Sequence, residues 1–130
     1  MHDYRSYGHG KYALHYHLLW CPKAGLQLQG EKLEHALQQI IADICRANHY
    51  EIVALEVQPR FIYVSLSVRP TVAPADAART LKSMCTVRLL QLYPELKKHY
   101  SLYGSFWKKG YLISTGRIFN PDVVWKVLDE

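Results

Sequence analysis

The chain has 130 residues, which suits one domain with one core, and its 49% hydrophobic content excludes a disordered chain. No apolar run is long enough to span a bilayer, the N-terminus carries no signal-peptide core, and the three scattered cysteines form neither a zinc motif nor a disulfide framework. We therefore expect a reduced, cytoplasmic, single-domain protein over residues 1–130. The net charge of +5 permits a polyanionic partner without demonstrating one.

The first half of the chain predicts a strand, a helix and two further strands. Residues 12–21 are rich in aromatic and apolar side chains, which is typical of a strand. Residues 31–48 place apolar side chains at helical spacing. Residues 52–57 fit a strand covered on both faces. Residues 61–68 predict the next strand, with an even-numbered buried face and an odd-numbered polar and aromatic face that is open.

The second half predicts a helix, a strand and a terminal helix. Residues 74–93 predict the helix, with a proline in its first turn and an apolar stripe that includes Met84 and Leu92. Residues 106–115 predict the fourth strand. Pro121–Leu128 predicts a short terminal helix that begins at its proline.

The order of elements is therefore strand, helix, strand, strand, helix, strand, helix. This order predicts an α+β fold, the ferredoxin-like split βαβ arrangement with a four-stranded antiparallel sheet, and an extra C-terminal helix. Because many activities share this fold, it does not decide the function.

Several stretches, in a fixed order along the chain, resemble one protein family. The stretches are Tyr16–Lys23, Leu55–Pro59, Leu81-Lys82 with Arg88, Tyr93–Lys97 and Phe106–Tyr111. Together they resemble the small single-tyrosine HUH (His-hydrophobic-His) transposases of bacterial insertion sequences, often labelled TnpA, which move as single-stranded DNA. The resemblance runs from about Tyr12 to Glu130.

The resemblance implies a metal motif whose histidines this chain lacks. In the family, two histidines one residue apart on the third strand bind a divalent cation such as Mg or Mn, which polarises the scissile phosphate. Here Phe61 and Tyr63 stand at those two positions. Phenylalanine cannot bind a metal, and a neutral tyrosine of pKa about 10 is a poor ligand at pH 7. We therefore predict no metal site and no cofactor.

The resemblance also places the family's nucleophilic tyrosine at Val127, and a third metal ligand, a glutamine, after Glu130. Valine has no hydroxyl, so it cannot form a phosphotyrosine link to DNA. No catalytic residue is therefore assigned, because Phe61, Tyr63 and Val127 occupy the family's catalytic positions.

Other residues could substitute for the missing ones. His15 and His17 share a face of the first strand, so a replacement metal site is geometrically possible, although a hydrogen-bonded strand histidine is the interpretation we favour. Tyr63 and Tyr111 could be replacement nucleophiles, and for both we favour a structural role.

Five residues are candidates for DNA binding. Arg79 and Lys82 lie on the exposed side of the second helix, and Lys82 matches a family lysine. Lys108 and Lys109 could hold phosphates at a turn or strand edge, or could be solvated edge residues. Trp107 could stack on a base, or could contact the core or a dimer partner.

These observations favour a transposase-like DNA-binding protein that is catalytically inactive. It would bind single-stranded or hairpin DNA and form a homodimer through its fourth strand. Lys23-Ala24-Gly25 replaces the family's Lys-Tyr-Arg and removes one cation from that surface. Two alternatives stay open, an active single-strand transposase with an unrecognised site and an interaction or structural module without a DNA role.

Overall fold

The computed structural model describes residues 4–23, 30–98, 104–115 and 120–121. Beyond Pro121 the predicted terminal helix, and with it Val127, lies outside the described residues. The elements are β1 Arg5–Tyr7, β2 Gly10–Tyr12, β3 Leu14–Trp20, α1 Glu31–Ala47, β4 Glu51–Gln58, β5 Phe61–Val68, α2 Pro74–Leu92 and β6 Leu112–Ser114, with a 3-10 turn at Pro94–Leu96.

A four-stranded sheet with the order β4-β5-β3-β6 forms the centre of the described structure. Each neighbouring pair is antiparallel, and β1 and β2 form a separate two-stranded hairpin. This arrangement confirms the predicted α+β fold with its split βαβ connections.

The main core lies between one face of the sheet and the two helices. Alternate residues of β3 and β5 point to this face, because successive strand residues alternate between the two sides of a sheet. The largest fully buried contributors are Leu18, Trp20, Ile62, Leu66, Leu37, Ile41, Ile44, Leu81 and Leu89. The helical spacing in α1 predicted a buried face of Leu33, Leu37, Ile40, Ile41 and Ile44. The last four are buried, Leu33 is half-buried, and the buried Cys45 was not predicted.

Three expectations about burial are wrong. β4 is an edge strand paired only with β5, so Val57 is its one buried residue and the strand is not covered on both faces. All eight residues of β5 are buried, so its polar and aromatic face is closed as well. Met84 is 37% exposed and Leu92 is 58% exposed, because α2 packs through a narrower arc that is completed by Ala78.

The predicted fourth strand is interrupted. Trp107 forms an isolated bridge with Pro22, and Leu112 pairs with Leu19 in β6. Four residues lie between Trp107 and Leu112, whereas two lie between their partners Pro22 and Leu19, so the segment bulges between the two contacts. Gly110 adopts a φ of 85°, a left-handed conformation that breaks an extended chain and that glycine tolerates. The sequence pattern therefore predicted a strand in the region that contains β6, but it did not predict the bulge before β6.

Candidate nucleic-acid interface

The first part of the candidate site is the closed face of the sheet, on which Phe61 and Tyr63 lie at the positions where the resemblance places the family's metal ligands. Phe61 and Tyr63 share this face of β5 and are 3% and 7% exposed. They pack with Leu19 and Cys21 in a second apolar cluster, against which Leu112 is half-buried. Phe61 and Tyr63 therefore pack in an apolar cluster and do not form a polar cleft.

His17 lies beside Tyr63 on this face. Its Nδ1 atom is 2.9 Å from the Tyr63 hydroxyl, and the two rings are parallel within 2° at a centroid distance of 6.3 Å. His17 is 7% exposed, whereas His15 is exposed. The structure therefore gives His17 a buried hydrogen bond, as expected for a strand histidine that is not a ligand.

The pKa shifts of this pair favour neutral side chains. Burial lowers the pKa of His17, and the nearby His15 lowers it further. Burial raises the pKa of Tyr63, Glu56 adds to that increase, and a hydrogen bond with Ser65 opposes it. A neutral phenol is a poor metal ligand, and Phe61 offers no donor atom at all. These residues therefore do not fit a divalent cation, and within the described ranges no group of three or more His, Cys, Asp or Glu side chains is placed to hold one.

The second part of the candidate site is formed by α2 and the bulged segment, and Lys82 connects them. The Lys82 ammonium donates to the carbonyl oxygens of Lys108, at 3.2 Å, and Gly110, at 3.0 Å. Both carbonyls belong to the bulge, where the regular strand ladder is disrupted and backbone groups need other partners. Burial lowers the pKa of Lys82, and the neighbouring Cys21 opposes that decrease. Lys82 therefore holds the bulge in place.

Trp107 anchors the other end of the bulge. Its indole Nε1 donates to the Lys82 carbonyl and to the Thr86 hydroxyl, both at 3.0 Å. The ring is 3% exposed and meets Trp20 edge-on at a centroid distance of 6.0 Å. Because a base needs an accessible ring face, this arrangement assigns Trp107 to the core rather than to base stacking.

A cavity of about 520 Å³ lies between α2 and the bulge. Arg79 and Lys82 line it together with Trp107, while Lys109 is exposed on the bulge itself. Arg79 also pairs with Asp76 at 3.0 Å, one turn earlier in the helix. Three of the five predicted DNA-binding residues, Arg79, Lys82 and Trp107, therefore line one groove, in which Lys82 and Trp107 act mainly as framework, whereas Lys108 and Lys109 belong to the neighbouring bulge and do not line it. We call this site the α2 groove.

The sequence analysis missed several residues of the α2 groove. Thr86 and Ser83 contribute hydroxyls, Val87 contributes an apolar wall, and Tyr111 lines the side formed by the bulge. Ser83 and Thr86 lie four residues after Arg79 and Lys82, so helical periodicity places them on the same side. That spacing was the signal available in the sequence, whereas the contribution of Tyr111 depends on the bulge.

Comparison with known proteins identifies the family. The family described as "Transposase IS200 like" (Y1_Tnp) matches residues 10–124. This chain belongs to the IS200-like transposase family. The match confirms the predicted relation to the TnpA-like single-tyrosine transposases.

Two relatives in the IS200-like family are similar over most of the chain. The ISDra2 transposase TnpA of Deinococcus radiodurans is 34% identical over 105 residues, which cover 80% of this chain and 74% of that protein. The transposase for insertion sequence element IS200 of Salmonella typhimurium is 27% identical over 116 residues, which cover 88% and 75% respectively.

Solved structures extend the comparison to the fold. A protein assigned as a transposase from Deinococcus radiodurans R1 superimposes with a TM-score of 0.80 at 28% identity, covering 99% of this chain and 96% of the other. A REP-associated tyrosine transposase, solved bound to a REP hairpin, has a TM-score of 0.54 at 18% identity, covering 99% and 69%, and shares the fold. Neither described helix of this IS200-like chain combines the length and apolar character that a membrane span requires.

Proposed function

We propose that this member of the IS200-like transposase family binds single-stranded or hairpin DNA without cleaving it by the family's metal-and-tyrosine mechanism. The observation that carries the proposal is the closed sheet face, where Phe61 and Tyr63 pack with Leu19 and Cys21 and where Tyr63 bonds to His17. Cleavage by that mechanism needs a polarised phosphate and an attacking hydroxyl together. Phe61 and Tyr63 do not provide the ligands for a metal that would polarise the phosphate. The attacking hydroxyl is missing at Val127, a position that the family resemblance assigns.

The α2 groove supports DNA binding by its charge and its shape. Arg79 and Lys82 line it, and Arg79 also pairs with Asp76 on the helix surface. The bulge presents Lys109 to solvent from a backbone that Lys82 and Trp107 hold in place. Fixed cations beside a concave surface attract phosphates at low cost in side-chain ordering. The hairpin bound to the related REP-associated transposase makes DNA the partner to test first.

Salt-dependent binding tests the DNA proposal. We expect the affinity for a hairpin-bearing single strand to fall steeply with salt, and Lys109→Ala to reduce the slope of log K against log[salt] by about one. Lys32→Ala, which removes an exposed lysine from α1, is the matched control and should leave the slope unchanged. Fluorescence anisotropy across salt concentrations measures both. Absence of salt-dependent binding would instead favour an interaction module without a DNA role.

An adduct assay tests the absence of cleavage. We expect no covalent protein–DNA product when the chain is incubated with manganese and a pool of hairpin-bearing oligonucleotides and run on a denaturing gel. A variant with Phe61→His, Tyr63→His and Val127→Tyr supplies both the metal ligands and the nucleophile, and it is the variant in which an adduct is expected. Variants that restore only the metal ligands or only the nucleophile should give no adduct. A metal-dependent adduct on any tyrosine of the unchanged chain would overturn the proposal.

Calorimetry with manganese tests the metal position separately. We expect no one-per-chain site of micromolar or better affinity, because Phe61 has no donor and Tyr63 is neutral and bonded to His17. A stoichiometric isotherm that disappears in a variant lacking His15 and His17 would instead identify those histidines as a replacement site.

We also propose the predicted homodimer, formed along the outer edge of β6. β6 is the last strand of the sheet and pairs with β3 on one side only among the described strands. Because exposed strand edges tend to pair, this edge is the natural contact for a second copy. The three-residue length of β6 makes the strand pairing short, so side chains beyond it must contribute. Light scattering at micromolar concentration should give twice 15.1 kDa, and a stable monomer would refute the dimer.

A further inference from the structure

The β1–β2 hairpin contributes little to the core of the protein. Within residues 4–12, Tyr12 is the one buried residue, whereas Tyr4 is 65% exposed and Tyr7 is 45% exposed. The Tyr7 ring is therefore left available for a ligand, because folding of the core does not use it.

One face of the hairpin is anchored to the sheet by Arg5. Its guanidinium donates to the carbonyl and the hydroxyl of Ser67, both at 3.1 Å, and lies 3.8 Å from a Glu51 carboxylate oxygen. It also lies 5.4 Å from the centre of the Tyr12 ring. Tyr12 is directly opposite Arg5 in the hairpin register. This anchor fixes the position of the hairpin relative to β5.

Tyr7 lies on the same face as Arg5, at the outer end of the hairpin, because strand residues two apart share a face. Its cross-strand partner is Gly10, which has no side chain to cover the ring. The Arg69 guanidinium, just after β5, lies 5.8 Å from the Tyr7 ring centre. An aromatic ring with an adjacent arginine and an uncovered neighbour is the combination that stacks bases and binds their phosphates in single-strand-binding proteins.

The charge of the hairpin favours an anionic partner. Residues 4–12 include Arg5 and Lys11 and no aspartate or glutamate. Glu51 is already engaged by Arg5. A second copy of this basic surface would be repelled by it, whereas a nucleic-acid backbone would be attracted.

We propose that Tyr7 and Arg69 form a stacking site for single-stranded DNA, separate from the α2 groove. The Arg69 guanidinium lies over one face of the Tyr7 ring. A base stacks on the opposite face, and the guanidinium binds the adjoining phosphate. Ser67, to which the hairpin is anchored, shares its face of β5 with Tyr63. The stacking site thus lies at the Ser67 end of the closed sheet face. This inference rests on the proposed DNA-binding function and adds to it a base-stacking site at named residues outside the α2 groove.

Two oligonucleotides of one length test the site, an oligo-dT and a matched strand of abasic nucleotides with the same phosphates. Fluorescence anisotropy with the full chain measures both affinities. We expect Tyr7→Ala to weaken oligo-dT binding about fivefold to a hundredfold, the range for losing one base stack. Tyr7→Phe should restore it, and Tyr7→Ala should leave abasic binding unchanged. Arg69→Gln should weaken both and lower the salt slope by about one.

Lys11→Gln is the matched control, because Lys11 pairs with Ser6 on the opposite face of the hairpin and should change oligo-dT affinity less than twofold. If the unchanged chain binds oligo-dT and Tyr7→Ala binds it equally well, or loses both ligands equally, the stacking site is wrong and the proposed function stands. If the unchanged chain binds neither strand nor a hairpin, the proposed function itself fails and the site with it. If Tyr7→Ala alters the oligomeric state in light scattering and not oligo-dT affinity, the surface is a protein contact and the proposal is overturned.

Discussion

The closed sheet face and the α2 groove differ in how they treat polar groups. On the closed face, Phe61 and Tyr63 are almost fully buried, and the polar atoms of His17 and Tyr63 satisfy one another. In the α2 groove, cations and hydroxyls surround an open cavity of about 520 Å³. One sheet face of this chain is therefore buried and internally hydrogen-bonded, while the surface beside α2 stays open and carries cations. The two regions should respond to substitution in opposite ways.

The largest expected effect is on the closed face. Phe61→Ala removes a ring from a cluster formed with Leu19, Cys21 and Tyr63, and should lower the free energy of unfolding by about 3–5 kcal/mol. Lys109→Ala, in an exposed position on the bulge, should change it by less than about 0.5 kcal/mol. Urea unfolding of both variants makes the comparison. If Phe61→Ala lowers the free energy of unfolding only slightly, this face tolerates a cavity and is not tightly packed.

The sequence predicted the closed face less well than the fold. Apolar content and hydrophobic periodicity correctly predicted the positions of both described helices and the three longest strands. Periodicity wrongly predicted that the odd-numbered face of β5 is open. Ser65 and Ser67 are polar residues, yet tertiary contacts bury both. Periodicity also failed at the bulge, where the position of the backbone depends on Lys82, a residue that is far away in sequence.

The sequence predicted some of the residues that line the α2 groove, but it did not predict what each of them does there. The exposed helix face correctly predicted that Arg79 and Lys82 lie on the same side of α2, where both line the α2 groove. Their separate roles could not be predicted, because a lysine that binds backbone carbonyls and a lysine that faces solvent look the same in sequence. Trp107 shows the same limit, since only the three-dimensional contacts with Trp20 and Thr86 place its ring in the core.

An intermediate effect is expected at Lys82, which separates a framework role from a ligand-binding role. Lys82→Met keeps the length of the side chain but removes the donors to the Lys108 and Gly110 carbonyls. Because each charged hydrogen bond contributes about 1.5–3 kcal/mol and part is recovered by solvation, we expect a loss of about 1–2 kcal/mol in unfolding free energy. Hydrogen exchange should also become faster in the bulge.

Arg79→Met is the matched control for Lys82→Met. Arg79 is exposed and its recorded partner is Asp76, one turn away on the surface, so its replacement should cost less than about 0.5 kcal/mol. Equal losses at the two positions would mean that Lys82 does not hold the bulge.

The smallest expected effect concerns the pH dependence of stability at His17. Burial holds the pKa of His17 below its ordinary value of 6.5. As the pH falls below 6.5, the imidazole therefore binds a proton in the unfolded chain before it does so in the folded chain. Stability is therefore complete above pH 6.5 and falls as the pH is lowered, with a limiting slope of about 1.4 kcal/mol per pH unit for one proton. His17→Gln can still accept a hydrogen bond from Tyr63 and cannot titrate. The stability difference between the original chain and this variant should be constant above about pH 7.5 and should shift in favour of the variant below about pH 6. His15→Gln changes an exposed histidine and should alter the profile much less. If the original chain instead gains stability relative to His17→Gln as the pH falls, the imidazole is charged in the folded state, and the closed face would have to be described as a polar site.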